Sequence, residues 1–225
     1  CGNAAFMQTK EDAVALAKSM VATGSDLGME VTAQVTEMDN PIGLMLGNSH
    51  EIVECIQCLN GNGPSDTMEL VYAQADALGY DIRTVIQDGT ALNEFKQMCI
   101  RQGVAKDDID LIVNEPWKLL PRCNNSVEIK ATSSGWISQI NALSIGEVLC
   151  KLGAGRTGEN ADINHGVGAE LIKTKGDYIE AGSPWIRIDT VEGIDGKMID
   201  QVQDALVISQ EEIPPTSRIL QNITM

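Results

Sequence analysis

The chain has 225 residues, 43% of them apolar and 21% charged, an ordinary globular composition with no long polar tract and enough apolar material for a core. Its 32 Asp and Glu against 16 Lys and Arg leave a net charge of −16, which repels phosphate backbones and anionic membrane surfaces and sets nucleic acid aside as a partner. No apolar run approaches the roughly 20 residues that span a bilayer, and the six cysteines are scattered through a chain too large to need disulfide staples, so reduced thiols, a cytoplasmic location and no membrane partner are expected.

Thr9 followed by Asp12 is a capping-box variant, after which Val14, Leu16, Ala17, Met20 and Val21 recur at helical spacing until Gly24 supplies a stop. Residues 30–36 alternate, with Val31, Ala33 and Val35 on one face, the two-residue period of a half-buried strand. Asp39-Asn40-Pro41 breaks that strand, and Asn48 reads as the N-cap of a helix running to about Leu59. Ser65 or Asp66 caps another to about Leu78, and shorter helical stretches centre on Val85, Phe95 and Ile109 before Pro116. Helix followed by strand suggests an α/β layer, a sheet with flanking helices, and the stretch from Asn48 to Pro116 reads as mainly helical.

From Pro121-Arg122-Cys123 onward the pattern changes to short strand-like runs at 127–129 and 135–137, one helical stretch at 144–152, then Leu171-Ile172, Tyr178-Ile179 and 185–188 among recurring Gly, Asp and Pro. A small β-rich domain over residues 121–225 follows from this. A last helix is predicted over 199–207, and a loose tail after Pro214-Pro215. The chain begins at Cys1 without an initiator Met, which fits either a processed product or a fragment.

Cys55 and Cys58 have the spacing of zinc and redox motifs but lie inside a predicted helix with no second Cys or His pair at ligand spacing, so helix packing is the expected role. His50-Glu51-Ile52-Val53-Glu54 resembles a zinc-protease helix, yet Glu54 stands where a second His is required. His165 sits in a turn-like context before Gly166-Val167-Gly168, and two such histidines make no catalytic triad. The glycines of Gly153-Ala154-Gly155-Arg156 follow a helix instead of preceding one, which points to a stop and turn over a phosphate cradle. Gly2-Asn3-Ala4-Ala5-Phe6-Met7 fits a loop passing close to a ligand, or simply a loop.

Taken in order, Gly2 to Met7, Asp12-Ala13, Leu16 to Val21, Thr36-Glu37-Met38-Asp39-Asn40-Pro41-Ile42-Gly43, Gly47 to Glu54 and Gly61-Asn62-Gly63-Pro64 resemble the pyrimidine nucleoside phosphorylases of the thymidine phosphorylase kind. Leu152 to Arg156, Gly166-Val167-Gly168, Gly176-Asp177 and Gly182-Ser183-Pro184-Trp185 are similar to that family's C-terminal β domain, so the likeness covers nearly the whole chain. The stretch 72–90 is shorter than the family's helical segment there.

The resemblance implies that residues 1–120 are the C-terminal part of an α/β domain and that residues 121–225 form a barrel-sandwich hybrid module related to biotinyl and lipoyl carriers. The family's phosphate- and base-binding residues lie upstream of Cys1, so this chain receives no catalytic residue from it and is expected to be inactive alone. Phe6 corresponds to the aromatic that walls the pyrimidine pocket. A potassium ion held by two backbone carbonyls and a carboxylate maps onto Ile42, Met45 and Glu54. The implied substrates are a pyrimidine nucleoside and phosphate as co-substrate, with no organic cofactor, in a protein that is a homodimer at full length. A non-catalytic carrier module is the competing reading, but a carrier presents a Lys at a hairpin tip and the 176–187 hairpin has none. The related anthranilate phosphoribosyltransferase fold lacks a terminal β module.

Overall fold

The computed structural model describes residues 1–156 and 162–225. It is a mixed α/β structure with eight α-helices and three small antiparallel sheets among those residues. In chain order the elements are α1 (Lys10–Asp26), β1 (Ala33–Thr36), β2 (Met45–Leu46), α2 (Asn48–Leu59), α3 (Ser65–Ala77), α4 (Arg83–Gln87), α5 (Thr90–Arg101) and α6 (Lys106–Asn114). After a 3-10 turn at Pro116–Lys118 come β3 (Asn125–Lys130), β4 (Gly135–Ile140), α7 (Ala142–Leu149), β5 (Gly168–Leu171), β6 (Tyr178–Ile179), β7 (Pro184–Thr190), α8 (Gly196–Asp204), β8 (Leu206–Ser209) and β9 (Ile219–Ile223).

The first 120 residues supply only two short strands, and each pairs with a strand from beyond residue 120. β1 pairs with β9, and β2 joins the order β2-β5-β7-β3. The third sheet runs β6-β4-β8, and as paired none of the three closes into a barrel among the described residues.

Local chemistry explains most boundaries. The Thr9 hydroxyl accepts the Asp12 N–H at 3.2 Å and starts α1, whose Ala17 and Val21 pack with Val35 and Ile223. Gly24 is not the stop. It lies within the helix where a Cβ would meet Val31 Cγ2 at 2.4 Å, so the glycine serves close packing and α1 continues to Asp26. For α2, Gly47 takes the cap position at φ +106, where a Cβ would stand 2.7 Å from the Val167 carbonyl oxygen. Asn48 is instead the first helical residue, and its side-chain amide donates to the Ala154 carbonyl at 3.2 Å.

Two expectations near the C-terminus are corrected. The last helix covers Gly196–Asp204, capped by Asp195, and Leu206–Ser209 forms β8 because alternation there serves the open edge of β4 better than another helical turn. The tail after Pro214-Pro215 is ordered by β9, which pairs antiparallel with β1 from Ala33↔Ile223 to Thr36↔Ile219 and buries Ile223 beneath α1. The two prolines end one element without preventing the next.

The main core gathers Ile137, Ile140, Ile145, Trp185, Ile186 and Ile188 from the sheets of the second segment and α7. It is tied to α2 by a buried polar cluster. His50 Nε2 lies 3.0 Å from Asp189 Oδ2 on β7, and Arg122 Nε donates to the same oxygen at 2.6 Å. Trp117 sets its ring edgewise to His50 at 5.0 Å and lies under the Arg122 guanidinium at 4.7 Å. Burial alone would push the Asp189 carboxyl up, but the hydrogen bonds from His50 and Arg122 and the Arg122 charge together hold it at about 2, down from 3.8.

Because that carboxyl is more acidic when folded, its contribution to stability is complete above about pH 4 and is lost as pH falls through its folded pKa. Asp189→Asn is therefore expected to cost about 2–4 kcal/mol at neutral pH. Urea midpoints measured from pH 7 down to pH 2 should show a steep acid loss in the wild type and a much flatter one in the variant.

Candidate functional site

The segment from Glu37 to Met45 leaves β1, turns sharply and enters β2, and the backbone N–H groups of Asp39, Asn40, Gly43, Leu44 and Met45 are all taken by carboxylate side chains. Glu37 Oε1 accepts the N–H groups of Asp39 at 3.0 Å and Asn40 at 3.1 Å, and the Asn40 side-chain amide at 2.7 Å. Asn40 in turn accepts the Ile140 N–H at 2.7 Å, which fastens the turn to β4. Burial pushes the Glu37 carboxyl up, but its contacts with Asn40 and Arg218 outweigh this and leave its pKa below the ordinary value.

Glu54 reaches this segment from α2. Its Oε2 accepts Leu44 N–H at 2.6 Å and Met45 N–H at 2.9 Å, while Asp66 at the start of α3 accepts Gly43 N–H at 3.2 Å. Burial raises the Glu54 pKa, the two N–H groups oppose the rise, and the charges of Asp66 and Glu51 add to it. Gly43 is required twice over. Its φ is +74, and a Cβ there would meet Glu54 Oε1 at 2.0 Å.

Ile42, Met45 and Glu54 line one cavity of about 460 Å³, together with Pro41, Cys58 and Thr67. The Thr67 hydroxyl is buried and has no hydrogen-bond partner. Glu54 Oε1 takes part in none of the hydrogen bonds described for the carboxylate, which all use Oε2. One buried carboxylate, a hydroxyl and nearby backbone oxygens suit a hard, singly charged cation better than a transition metal. Among the described residues no group of three or more His, Cys, Asp or Glu stands ready to hold a metal ion.

Phe6 is not among the residues of that cavity and is 91% exposed. Its loop is nevertheless pinned, by Asn3 N–H donating to Asp39 Oδ1 at 2.8 Å and by Gly2 N–H donating to the Met7 carbonyl at 3.2 Å. Gly2 permits the close approach, since a Cβ would lie 2.7 Å from Asp39 N. Of the expected site residues, three share one cavity wall and the fourth stands on a loop braced against the same turn.

The thiols follow their surroundings. Cys58 packs against Gly63, where a Cβ would come within 2.4 Å of its sulfur, and burial pushes its pKa up to about 11, so it stays protonated. His50, the first residue of the zinc-like pattern, is buried on Asp189, and His165 is exposed with its carbonyl accepting Ser49 N–H at 3.4 Å.

Sequence reasoning missed Thr67, Asp39 and above all Arg218. Arg218 carried one signal, as the only Lys or Arg after Lys197 in a strongly acidic chain.

Residues 136–209 match the profile of the Pyrimidine nucleoside phosphorylase C-terminal domain. The chain is 33% identical to thymidine phosphorylase of Homo sapiens over 226 residues, covering 92% of this chain and 47% of that protein. It is 35% identical to pyrimidine-nucleoside phosphorylase of Staphylococcus haemolyticus (strain JCSC1435), covering 96% and 52% respectively. The chain belongs to the pyrimidine nucleoside phosphorylase family. Pyrimidine-nucleoside phosphorylase of Bacillus subtilis (strain 168) is similar at 34% identity over 91% of this chain and 50% of its own length. The chain thus spans about half the length of the curated relatives it matches.

Gly43→Ala tests the packing of the turn against Glu54. It is expected to cost about 1–3 kcal/mol, from the positive φ and the displaced carboxylate, with the loss read from urea unfolding. Gly28→Ala, also at positive φ but with open space around it, should cost less.

Proposed function

We propose that this chain serves as the C-terminal portion of a pyrimidine nucleoside phosphorylase, which converts thymidine, deoxyuridine or uridine and phosphate to the free base and a pentose 1-phosphate. The observation that carries this reading is the family likeness across nearly the whole chain, with Ile42, Met45 and Glu54 on one cavity wall as its support.

In this reaction a phosphate oxygen bonds to C1′ of the sugar as the bond from C1′ to the base nitrogen breaks, and that bond's electron pair leaves with the base. Positive charge grows on the sugar and negative charge on the base, so fixed donors and exclusion of water govern the rate. On this reading the donors for phosphate and base belong to the part of the relatives' length outside the matched region. The present residues supply a scaffold and one pocket wall. Phe6, exposed on a loop braced by Asp39, offers an apolar face to the pyrimidine.

A potassium ion held by the Ile42 and Met45 carbonyls and Glu54 would supply a fixed positive charge beside a buried carboxylate. On the same reading residues 1–120 complete an α/β domain, residues 121–225 form a barrel-sandwich module, and the whole protein is a cytoplasmic homodimer without an organic cofactor. No described helix is long and apolar enough to cross a membrane.

Phosphate-dependent release of thymine from thymidine and uracil from uridine tests the activity, on the 225-residue chain and on the full-length product of its gene. Release by the full-length product, with none from the chain alone, is the expected pattern. No release from either would contradict the phosphorylase reading.

Glu54→Gln tests the cation separately. Glu54 has a raised pKa, so its ionised form weighs against folding as pH rises past the ordinary carboxyl value, and Gln removes that charge while keeping an acceptor for Leu44 and Met45. Thermal midpoints at pH 7 should be unchanged or higher in choline chloride, and the gain that potassium chloride gives the wild type should vanish.

A further inference from the structure

We infer that Arg218 is a positioning residue for the cation turn, setting the direction of the Ile42 carbonyl from both sides. The inference rests on the reading of Ile42, Met45 and Glu54 as a monovalent-cation site. Arg218 immediately precedes β9 and is delivered to the turn by the β1–β9 pairing, 177 residues away in sequence from Pro41. Its side chain is only 12% exposed.

The guanidinium binds four acceptors at once. Nη1 pairs with Glu37 Oε2 and donates to the Asn40 carbonyl at 3.2 Å. Nη2 donates to the Pro41 carbonyl and to Asp66 Oδ2, the latter at 2.8 Å, and Nε reaches the same Asp66 oxygen at 3.2 Å. Such a fork is available to arginine and not to lysine, whose ammonium is a single point of charge.

The consequence for Ile42 follows from peptide planarity. The peptide before Ile42 is fixed because its oxygen, on Pro41, is held by Arg218. The peptide after it is fixed because Gly43 N–H donates to Asp66 Oδ2, the oxygen that Arg218 anchors. In a trans peptide the carbonyl points opposite to the N–H, and no cis peptide occurs among the described residues, so the Ile42 oxygen is turned away from Asp66. Both planes flanking Ile42 therefore answer to one guanidinium. None of these contacts places Arg218 on the cation itself, and its effect runs through Pro41 and Asp66.

The test is the potassium concentration that half-saturates the rise in thermal midpoint, at constant ionic strength against choline chloride. The 225-residue chain is compared with Arg218→Lys, Arg218→Ala and Ile223→Ala. Ile223→Ala weakens the same strand without touching the guanidinium, so it should lower the midpoint and leave half-saturation unchanged. Arg218→Lys, which keeps the charge and protects against outright unfolding, should raise half-saturation by about 10–100-fold, as loss of an outer-shell partner does at metal sites. A wild-type chain that responds to potassium beside an Arg218→Lys variant with the same half-saturation would overturn the role of Arg218 alone. Absence of any potassium response in the wild type would overturn the cation reading and this inference with it.

Discussion

The Arg218 guanidinium is the constraint on which the arrangement around the 37–45 turn depends. The chain carries a net charge of −16, and Glu37, Asp66 and Glu69 all converge where β9 meets the turn. Without a cation among them their mutual repulsion and desolvation would open the turn. With one planar, multiply donating cation they become acceptors in a single network. Glu69 contributes at the backbone level, taking Arg218 N–H at 3.0 Å and the Ser217 hydroxyl, so the strand that brings the guanidinium is itself fixed by α3.

A second junction does comparable work on the other side of α2. His50, Asp189 and Arg122 bind the start of that helix to β7 and to the turn at Trp117, and Glu54 projects from the same helix one turn further on. Helix α2 is thus held at its N-terminus by a buried polar cluster and meets the 37–45 turn through its carboxylate. Buried ionic groups of this kind gain little over apolar packing in net stability, but leaving one partner unpaired is costly. Their use here is geometric, since together they fix where the Glu54 carboxylate sits.

Much of this was legible in the sequence. Helical periodicity and the Thr9 cap located α1, and turn residues separated α2 and α3, because those signals are local. The strand β9 was hidden because its partner, β1, lies nearly two hundred residues upstream and five residues of pattern after two prolines say little alone. Glu54 could be singled out from an ordered set of motifs, but the direction of the Ile42 carbonyl could not, being set by Asp66 and Arg218 from two other elements. Gly43 illustrates the difference. Its glycine is plain in the sequence, while the reason for it, a carboxylate 2.0 Å from where a Cβ would stand, exists only in three dimensions.

The central proposal is that backbone oxygens of Ile42 and Met45, with Glu54, would hold a monovalent cation. Anomalous diffraction from crystals grown in rubidium chloride, a potassium substitute visible at its absorption edge, tests it most directly. A peak in the cavity between Glu54 Oε1 and the Ile42 and Met45 carbonyls is the result this account predicts. Well-ordered crystals whose only rubidium peaks lie elsewhere would contradict it.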